Sequence, residues 1–355
     1  MWPQGRTHWL SAIGVALFLS GCEVGVQDGA PEFAGVVFNE FLTLEFEDAP
    51  TLPSEGGLVA RDHVNGVIAF VDRRVPYEVI VFSEDGEPLE VLGRRGDGPG
   101  EYDQIRSMAY DGSGRLWLIS RSGMRADVLT PDREVEHSFT LDRRVVNIRP
   151  LGEVPMLAVT EGNEGPALAY LRSDGRLDPL DLGPETHEDS ELIAITTDGT
   201  ERFWVTAPHE FKVFQGDVHG NWNELELVEP EWFRTTYSQA LREELDGMLD
   251  TRGSTILLLE YDRDEDLLWV TSGVPVADVD ASRVRQSLES GDPEVMRGLV
   301  SLLIDHVVVG VEPEEGSVVA DGRFDFRAIS WASPWQYEVG ADHRTVALTR
   351  PAVVH

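Results

Sequence analysis

The chain has 355 residues, of which 29 are Lys or Arg and 64 are Asp or Glu, giving a formal charge of −35 at pH 7. This balance argues against nucleic acid as a partner, because phosphate binding needs a basic footprint. The single cysteine excludes an internal disulfide framework and a cysteine-rich zinc module. The hydrophobic fraction of 41% is enough to build a folded core.

Residues 1–21 have the pattern of a secretory signal peptide. The apolar run Leu10–Phe18 follows a weakly basic start and is too short to remain as a membrane-spanning helix. The run ends in Leu19, Ser20, Gly21 and Cys22, a sequence that resembles the bacterial lipobox. The resemblance implies cleavage before Cys22 and attachment of palmitate-type acyl chains, which would anchor the protein to a membrane. The alternative is an ordinary secretory signal with a chance cysteine.

The residue after the cysteine is Glu23 and not an aspartate, which resembles the sorting pattern of outer-membrane lipoproteins. We therefore expect a lipid anchor in the cell envelope, at the outer membrane, with the folded part in the periplasm or at the surface. Residues 22–36 are rich in Gly, Glu, Asp and Pro and are predicted to form a lipidated tether. Residues 37–355 are predicted to form one domain, which we expect to be monomeric.

A pentad of β-branched, aromatic and apolar residues recurs at intervals of about 40–65 residues. Such runs are typical of buried strands. Further strands and hairpins follow the pentads, as at Ser83–Gly86, where an Asp-Gly pair supplies the positive φ of a tight turn. The pentads are Ile68–Asp72, Leu116–Ser120, Met156–Thr160, Phe203–Ala207 and Leu268–Ser272.

Four-stranded units repeated in this way predict an all-β fold of the β-propeller type. Pairing of the early strand Phe41–Phe46 with strands in 326–355 would close the ring and remove exposed sheet edges. We predict six blades, with seven as the alternative. A two-sheet sandwich or a parallel β-helix accounts less well for a pentad followed by a hairpin. The first five blades are expected near 57–93, 107–141, 148–183, 192–229 and 252–325.

The stretch Gly93–Tyr102, followed by Gly114–Leu118 and Arg125–Leu129, resembles an NHL repeat. More closely, it is similar to the bacterial six-bladed β-propeller lipoproteins. The resemblance is strongest over 93–141, extends over 57–230, and is weak beyond residue 230. It implies that the glycine-rich loop shapes the crossing between two blades, with ligand binding as the alternative role. The loop residues concerned are Gly96, Gly98, Pro99, Gly100, Glu101 and Tyr102.

Two segments depart from the repeat. Apolar residues at helical spacing within 235–250, and a second stripe after Asp292-Pro293, predict two short helical insertions. We expect both insertions to pack their apolar stripes on the propeller. The alternative is that one of them covers a central site.

The tryptophans fall into two groups. Trp117, Trp204 and Trp269 share one register in three pentads, which predicts a role in the core between blades. Trp331 and Trp335 lie outside that register and are candidates for an aromatic patch that binds a carbohydrate or a peptide.

Two functions remain open from the sequence. The first is a non-catalytic binding or scaffold propeller for a protein, peptide or glycan, and the high negative charge favours basic partners or divalent cations for it. The second is a metal-dependent lactonase-like hydrolase or lyase, with its site in the central channel. The histidines are scattered without metal-ligand spacing, and no catalytic residue stands out. We expect no cofactor, and if a cation is bound, Ca²⁺ suits the abundant carboxylates better than Zn²⁺.

Overall fold

The computed structural model describes residues 34–46, 57–152, 154–162, 165–180, 193–207, 210–225, 227, 230–234, 254–276, 279, 282, 284–286, 303–324, 336–339 and 344–354. The chain divides into residues 1–32 and the unit Phe33–His355. The predicted lipobox (Leu19, Ser20, Gly21 and Cys22) and the predicted aromatic patch (Trp331 and Trp335) lie outside the described residues.

The described residues form mainly β-strands. In chain order the strands are β1 (Ala34–Glu45), β2 (Gly57–Asp62), β3 (Val67–Asp72), β4 (Val79–Ser83), β5 (Pro88–Leu92), β6 (Arg94–Arg95), β7 (Glu101–Tyr102), β8 (Ser107–Tyr110), β9 (Leu116–Ser120), β10 (Arg125–Leu129), β11 (Val135–Thr140), β12 (Arg144–Leu151), β13 (Val154–Gly162), β14 (Gly165–Leu171), β15 (Leu177–Pro179), β16 (Ile195–Thr197), β17 (Arg202–Ala207), β18 (Lys212–Asp217), β19 (Trp222–Leu225), β20 (Thr255–Asp262), β21 (Leu267–Pro275), β22 (Ile304–Val311), β23 (Val318–Phe324), β24 (Gln336–Val339) and β25 (Thr345–Val354).

Each predicted pentad lies in the second strand of a four-stranded meander. The pentad Leu116–Ser120 is β9 itself, and the others lie within β3, β13, β17 and β21. Strands β9 and β21 are buried along their whole length, on both faces. Such continuous burial accounts for the lack of polar alternation in these strands and for their β-branched and aromatic residues.

Four antiparallel sheets follow one another along the chain, in the strand orders β2–β5, β8–β11, β12–β15 and β16–β19. The predicted hairpin at Ser83–Gly86 is confirmed: Gly86 has a φ of +85° and its N–H donates to the carbonyl of Ser83 at 3.0 Å. The first strands of successive meanders, β2, β8, β12, β16 and β20, contact one another in turn. They are therefore the inner strands, which line the central channel of a propeller.

A seven-stranded sheet contains both ends of the described chain, in the order β20-β21-β22-β23-β1-β25-β24. Strand β1 pairs antiparallel with β25 from Gly35–Val354 to Glu45–Thr345, as predicted for the terminal strands. Residues 34–36 of the predicted tether belong to β1. The contact of β1 with β23 is parallel and short, at Ala34–Ala320 and Gly35–Asp321. Divided at this contact, the sheet would supply a fifth and a sixth blade, and the count of six stays a prediction.

Hydrophobic clusters fill the spaces between successive sheets. Leu118 of β9 packs with Val81 of β4, and Phe203 of β17 packs with Leu157 of β13. At the chain termini, Phe46 packs its ring against Phe70 and Phe82 with centroids 5.4 and 5.1 Å apart. Face-to-face packing of four-stranded antiparallel meanders around their first strands is the architecture of a β-propeller. The predicted all-β propeller fold is confirmed.

The two ends of the sheets differ in the length of their loops. At one end, here called the turn end, the short turns from first to second strands meet: Gly152 N–H donates to Gly199 O at 3.3 Å, and the Arg263 guanidinium donates to Asp198 O. At the other end, the connection end, the last strand of each of the first four sheets ends and the first strand of the next sheet begins.

The predicted helical insertions fall between strands that end and begin at the connection end. Residues 235–250 lie outside the described residues, and so do residues 292–302. Leu303, at the end of the second segment, is helical and fully buried. Both insertions remain predictions.

Candidate functional site

The glycine-rich loop connects the first two sheets at the connection end. Strands β6 and β7 pair in parallel, which places Arg94 beside Glu101 and Arg95 beside Tyr102. Gly93, with a φ of +81°, begins the loop, and a Cβ at this position would lie 2.8 Å from the buried ring of Tyr102. This close approach gives a physical reason for glycine at this crossing.

The carboxylate of Glu101 stabilises the loop through hydrogen bonds. It accepts hydrogen bonds from the backbone N–H groups of Gly98 at 2.9 Å and Asp97 at 3.2 Å. Its other oxygen accepts from Arg94 Nε and Nη2 at 2.9 and 2.7 Å. The bond from Gly98 and the bonds from Arg94 lower the pKa of Glu101. Glu101 therefore has a structural task in the loop, and a ligand role for the loop stays a prediction.

A buried ion pair lies beneath the same loop. Arg125 and Asp127 of β10 are almost completely buried, and Arg125 Nε and Nη2 bind the two carboxylate oxygens at 2.9 and 2.7 Å. The same guanidinium donates to the carbonyls of Asp97 at 3.0 Å and Gly98 at 2.9 Å. Side chains of the second sheet thus fix the backbone of the loop that joins it to the first.

The predicted role of the three pentad tryptophans in the core is confirmed. Trp117, Trp204 and Trp269 are buried, and each belongs to a hydrophobic cluster between its own sheet and a neighbouring group of strands. Trp117 Nε1 also donates to Asp111 at 3.0 Å. These side chains pack the sheets together.

The turn end carries a repeated buried aspartate that our sequence reasoning missed. Asp111 Oδ1 accepts from the backbone N–H groups of Ser113 and Arg115 at 2.9 and 3.1 Å, and Arg115 Nε donates to its other oxygen at 2.8 Å. Each such carboxylate accepts hydrogen bonds from its own turn. The available signal was an aspartate shortly before four of the five pentads, at Asp62, Asp111, Asp198 and Asp262.

Charged side chains link different sheets at the turn end. Arg350 of β25 donates to Asp264 at 2.9 Å and lies 3.4 Å from Asp262. The hydrogen bond from Arg350, together with its positive charge, lowers the pKa of Asp264. Burial lowers the pKa of His63, and the positive charges of the nearby Arg61 and Arg263 lower it further.

The connection end of the first three sheets has a different charge balance. Loops 73–78, 93–106, 121–124 and 141–144 contact one another, for example through Ile105 N–H to Pro76 O at 2.6 Å. Arginines outnumber acidic residues in these loops, although acidic residues predominate in the whole chain. We call this surface the arginine face; it consists of Arg73, Arg74, Arg94, Arg95, Arg106, Arg121, Arg143 and Arg144.

Several arginines of this face are already paired. Arg121 binds Asp97 at 2.9 Å, Arg94 binds Glu101, and Arg144 binds Glu161. Three others, Arg73, Arg95 and Arg143, make no ion pair with any residue that the structure describes, and the first two are exposed. They leave positive charge available to a partner.

A polar layer lies near the turn end of three inner strands. Arg149 of β12 and Glu260 of β20 lie two residues before the last residue of their strands, and Thr196 of β16 lies one residue before its last residue. Hydrogen bonds hold the strands in this register: Thr197 Oγ1 to Pro150 O at 2.5 Å, and Tyr261 N–H to Thr196 Oγ1 at 3.2 Å. Burial lowers the pKa of Arg149, and the charge of Glu260 partly offsets this effect.

Within the described ranges, no group of three or more His, Cys, Asp or Glu side chains is arranged to hold a metal ion. In the same part of the chain, no helix has both the length and the apolar composition needed to cross a membrane.

Several solved structures are similar to this chain at low sequence identity, and those with a TM-score above 0.5 share its fold. A member of the DUF4221 family from Bacteroides vulgatus has a TM-score of 0.59 and 7% identity, over 91% of this chain and 100% of that chain. A putative exported protein from Bacteroides fragilis has a TM-score of 0.55 and 10% identity, over 90% and 96% of the two chains. Virginiamycin B lyase from Staphylococcus aureus has a TM-score of 0.46 and 11% identity, over 89% and 99%.

No protein-family model matches the chain, and no curated protein matches its sequence. The structural likeness therefore concerns the fold alone, because propellers of one architecture serve many functions.

Proposed function

We propose that the protein is a lipoprotein of the cell envelope whose propeller binds a partner without catalysing a reaction. Cys22 would carry the lipid, and the preceding Leu19-Ser20-Gly21 supports this assignment. The outer membrane is the proposed location, with the propeller in the periplasm or at the surface.

The arginine face is the observation that carries the binding proposal. Loops on a rigid scaffold are the usual place of binding residues. Here three neighbouring loops display Arg73, Arg95 and Arg143 without an ion-pair partner among the described residues. We infer a protein, peptide or glycan that carries negative charge. The overall charge of −35 opposes such a partner at long range, but salt screens that repulsion beyond about 8–10 Å.

The charges near the axis support binding over metal catalysis. The turn aspartates are engaged by their own backbones and by arginines, as Asp111 is by Ser113 and Arg115. The guanidinium of Arg149 in the channel repels a divalent cation at that level. A metal held by these aspartates would need their carboxylates released from these bonds.

Replacement of Arg73, Arg95 and Arg143 by Gln tests the arginine face, with an octaglutamate peptide as the probe. We expect binding to weaken about tenfold, since an exposed charge pair contributes up to ~1 kcal/mol. Isothermal titration calorimetry at two salt concentrations measures the change. The matched control replaces Arg133, Arg172 and Arg176, which lie in turn-end hairpins. Equal loss in both variants, or no binding by the wild-type protein, would contradict the proposal.

A further inference from the structure

Strand β5 is the outer strand of the first sheet, and among the described strands it pairs with β4 alone. The backbone N–H and C=O groups on its other side are open to a further strand. Leu89 and Val91 of β5 are 49% and 40% exposed. They alternate with Glu90, which turns toward the second sheet and binds Arg133 at 3.0 Å. Two apolar side chains thus border an open strand edge.

The outer strands of the next three sheets are protected against such pairing. Strand β11 exposes polar side chains, among them Glu136 and His137. Strand β15 has 3 residues and ends in Pro179, and β19 has 4 residues and exposes Glu224. Short length, proline and charge are the usual means of blocking an edge strand. Of these four outer strands, only β5 has large apolar side chains that are exposed.

The charge along β5 changes sign from one end to the other. Asp85 and Glu87 are exposed before the strand, at the turn end, and Arg94 and Arg95 follow it at the connection end. Arg94 is paired with Glu101, whereas Arg95 makes no ion pair with any residue that the structure describes. Because Arg95 is four residues after Val91, the two are at most about 14 Å apart. A segment on this edge meets negative charge at one end and positive charge at the other, which fixes its direction.

We propose that β5 is the docking edge for an extended peptide that adds a strand to the first sheet. The peptide pairs antiparallel with β5, since antiparallel pairs are slightly more stable. Its N-terminal residues then lie at the connection end, where acidic side chains bind Arg95, and two alternate apolar side chains pack on Leu89 and Val91. The inference rests on the proposed function, because Arg95 belongs to the arginine face, and it makes the acidic partner a polypeptide.

A second copy of this chain fits the edge less well. Its own β5 also runs from acidic to basic, but two chains that each carry a charge of −35 repel one another. The 5 residues of β5 are also few beside the roughly 20–30 residues that each partner contributes to a stable interface. A short peptide meets neither obstacle.

Two peptides of equal composition test the edge by calorimetric titration. The first has the sequence Asp-Asp-Glu-Thr-Val-Thr-Val-Thr, the second has the reverse order, and both have blocked termini. We expect the first to bind about tenfold more tightly, because only its acidic residues lie beside Arg95 and away from Asp85 and Glu87. Equal affinities, or tighter binding of the reversed peptide, would overturn the proposal.

Octaglutamate, titrated alongside, distinguishes failure of the edge from failure of the arginine face. Octaglutamate binding without a preference between the two peptides would overturn the docking edge and leave the arginine face standing. Absence of octaglutamate binding would be failure of the arginine face itself.

The double change Leu89→Ser with Val91→Ser assigns the apolar contacts. It should weaken the first peptide about tenfold through lost apolar burial and leave octaglutamate binding unchanged. Val64→Ser is the matched control, since Val64 is 62% exposed in a turn at the turn end, and it should alter neither affinity. Unchanged binding of the first peptide by the double variant would contradict the assignment.

Sedimentation equilibrium of the protein without peptide tests the other occupant. We expect a monomer. A dimer that the double serine variant dissociates would assign the edge to a second copy and overturn the proposal.

Discussion

Replacement of Arg125 by Met is expected to lower the free energy of unfolding by about 3–5 kcal/mol, because it leaves Asp127 charged and buried without its partner. The side chains of Arg125 and Asp127 are 7% and 0% exposed, so water cannot take the place of the guanidinium. The loop carbonyls of Asp97 and Gly98 also lose their donor. Urea denaturation followed by tryptophan fluorescence measures the change.

Arg94→Met is the matched control, since Arg94 also pairs with an acidic residue of the loop but its side chain is 78% exposed. We expect a loss of less than about 1 kcal/mol there. The double change Arg125→Met with Asp127→Leu removes the unpaired charge, and should recover part of the stability. Similar small losses for Arg125→Met and Arg94→Met would show that the buried pair does not hold this crossing.

Replacement of Cys22 by Ser is expected to abolish incorporation of a palmitate analogue, because serine lacks the thiol that carries the lipid. The effect is all-or-none, since Cys22 is the only cysteine in the chain. Labelling of cells with an alkyne fatty acid, followed by isolation of the protein, measures it. Without its acyl chains the protein loses its proposed stable anchor.

Ser20→Ala is the control, because alanine keeps a small residue in the lipobox and should keep the label. Label that persists in Cys22→Ser would place the lipid elsewhere. A wild-type protein without label would favour the ordinary secretory signal.

Much of the fold could be predicted from the sequence because the second strands are buried on both faces. Burial selects continuous apolar runs, and Leu116–Ser120 therefore has the same bounds in sequence and structure. Hairpins such as Ser83–Gly86 were predicted from Asp-Gly, which supplies positive φ. The pairing of the terminal strands followed from the need to cover sheet edges.

The inner strands were harder to predict. Strand β16, Ile195–Thr197, has 3 residues, of which only Ile195 is apolar, so it has no hydrophobic period to detect. Its polar residue Thr196 belongs to the polar layer of the inner strands. Nothing in the sequence distinguishes Arg149 from an exposed arginine. Only the contacts of β12 with β8 and β16 show that Arg149 lies on an inner strand.

The arginine face was also hidden by composition. The charge of −35 is the sum over the whole chain, whereas the arginine face includes Arg73, Arg95 and Arg143 from loops that are far apart in sequence. The buried pair Arg125–Asp127 lies within the repeat that resembles NHL proteins, yet its contacts to the preceding loop depend on how two sheets meet. Such proximity is a property of the closed fold and not of any local pattern.

Metal analysis of the protein purified without chelator, with a thermal melt before and after EDTA, tests the central claim most directly. A binding propeller with Arg149 in its channel predicts metal well below one equivalent and an unchanged melting temperature. One stoichiometric metal together with a fall of several degrees in the melting temperature in EDTA would contradict it. That result would favour a metal-dependent hydrolase or lyase with its site in the channel.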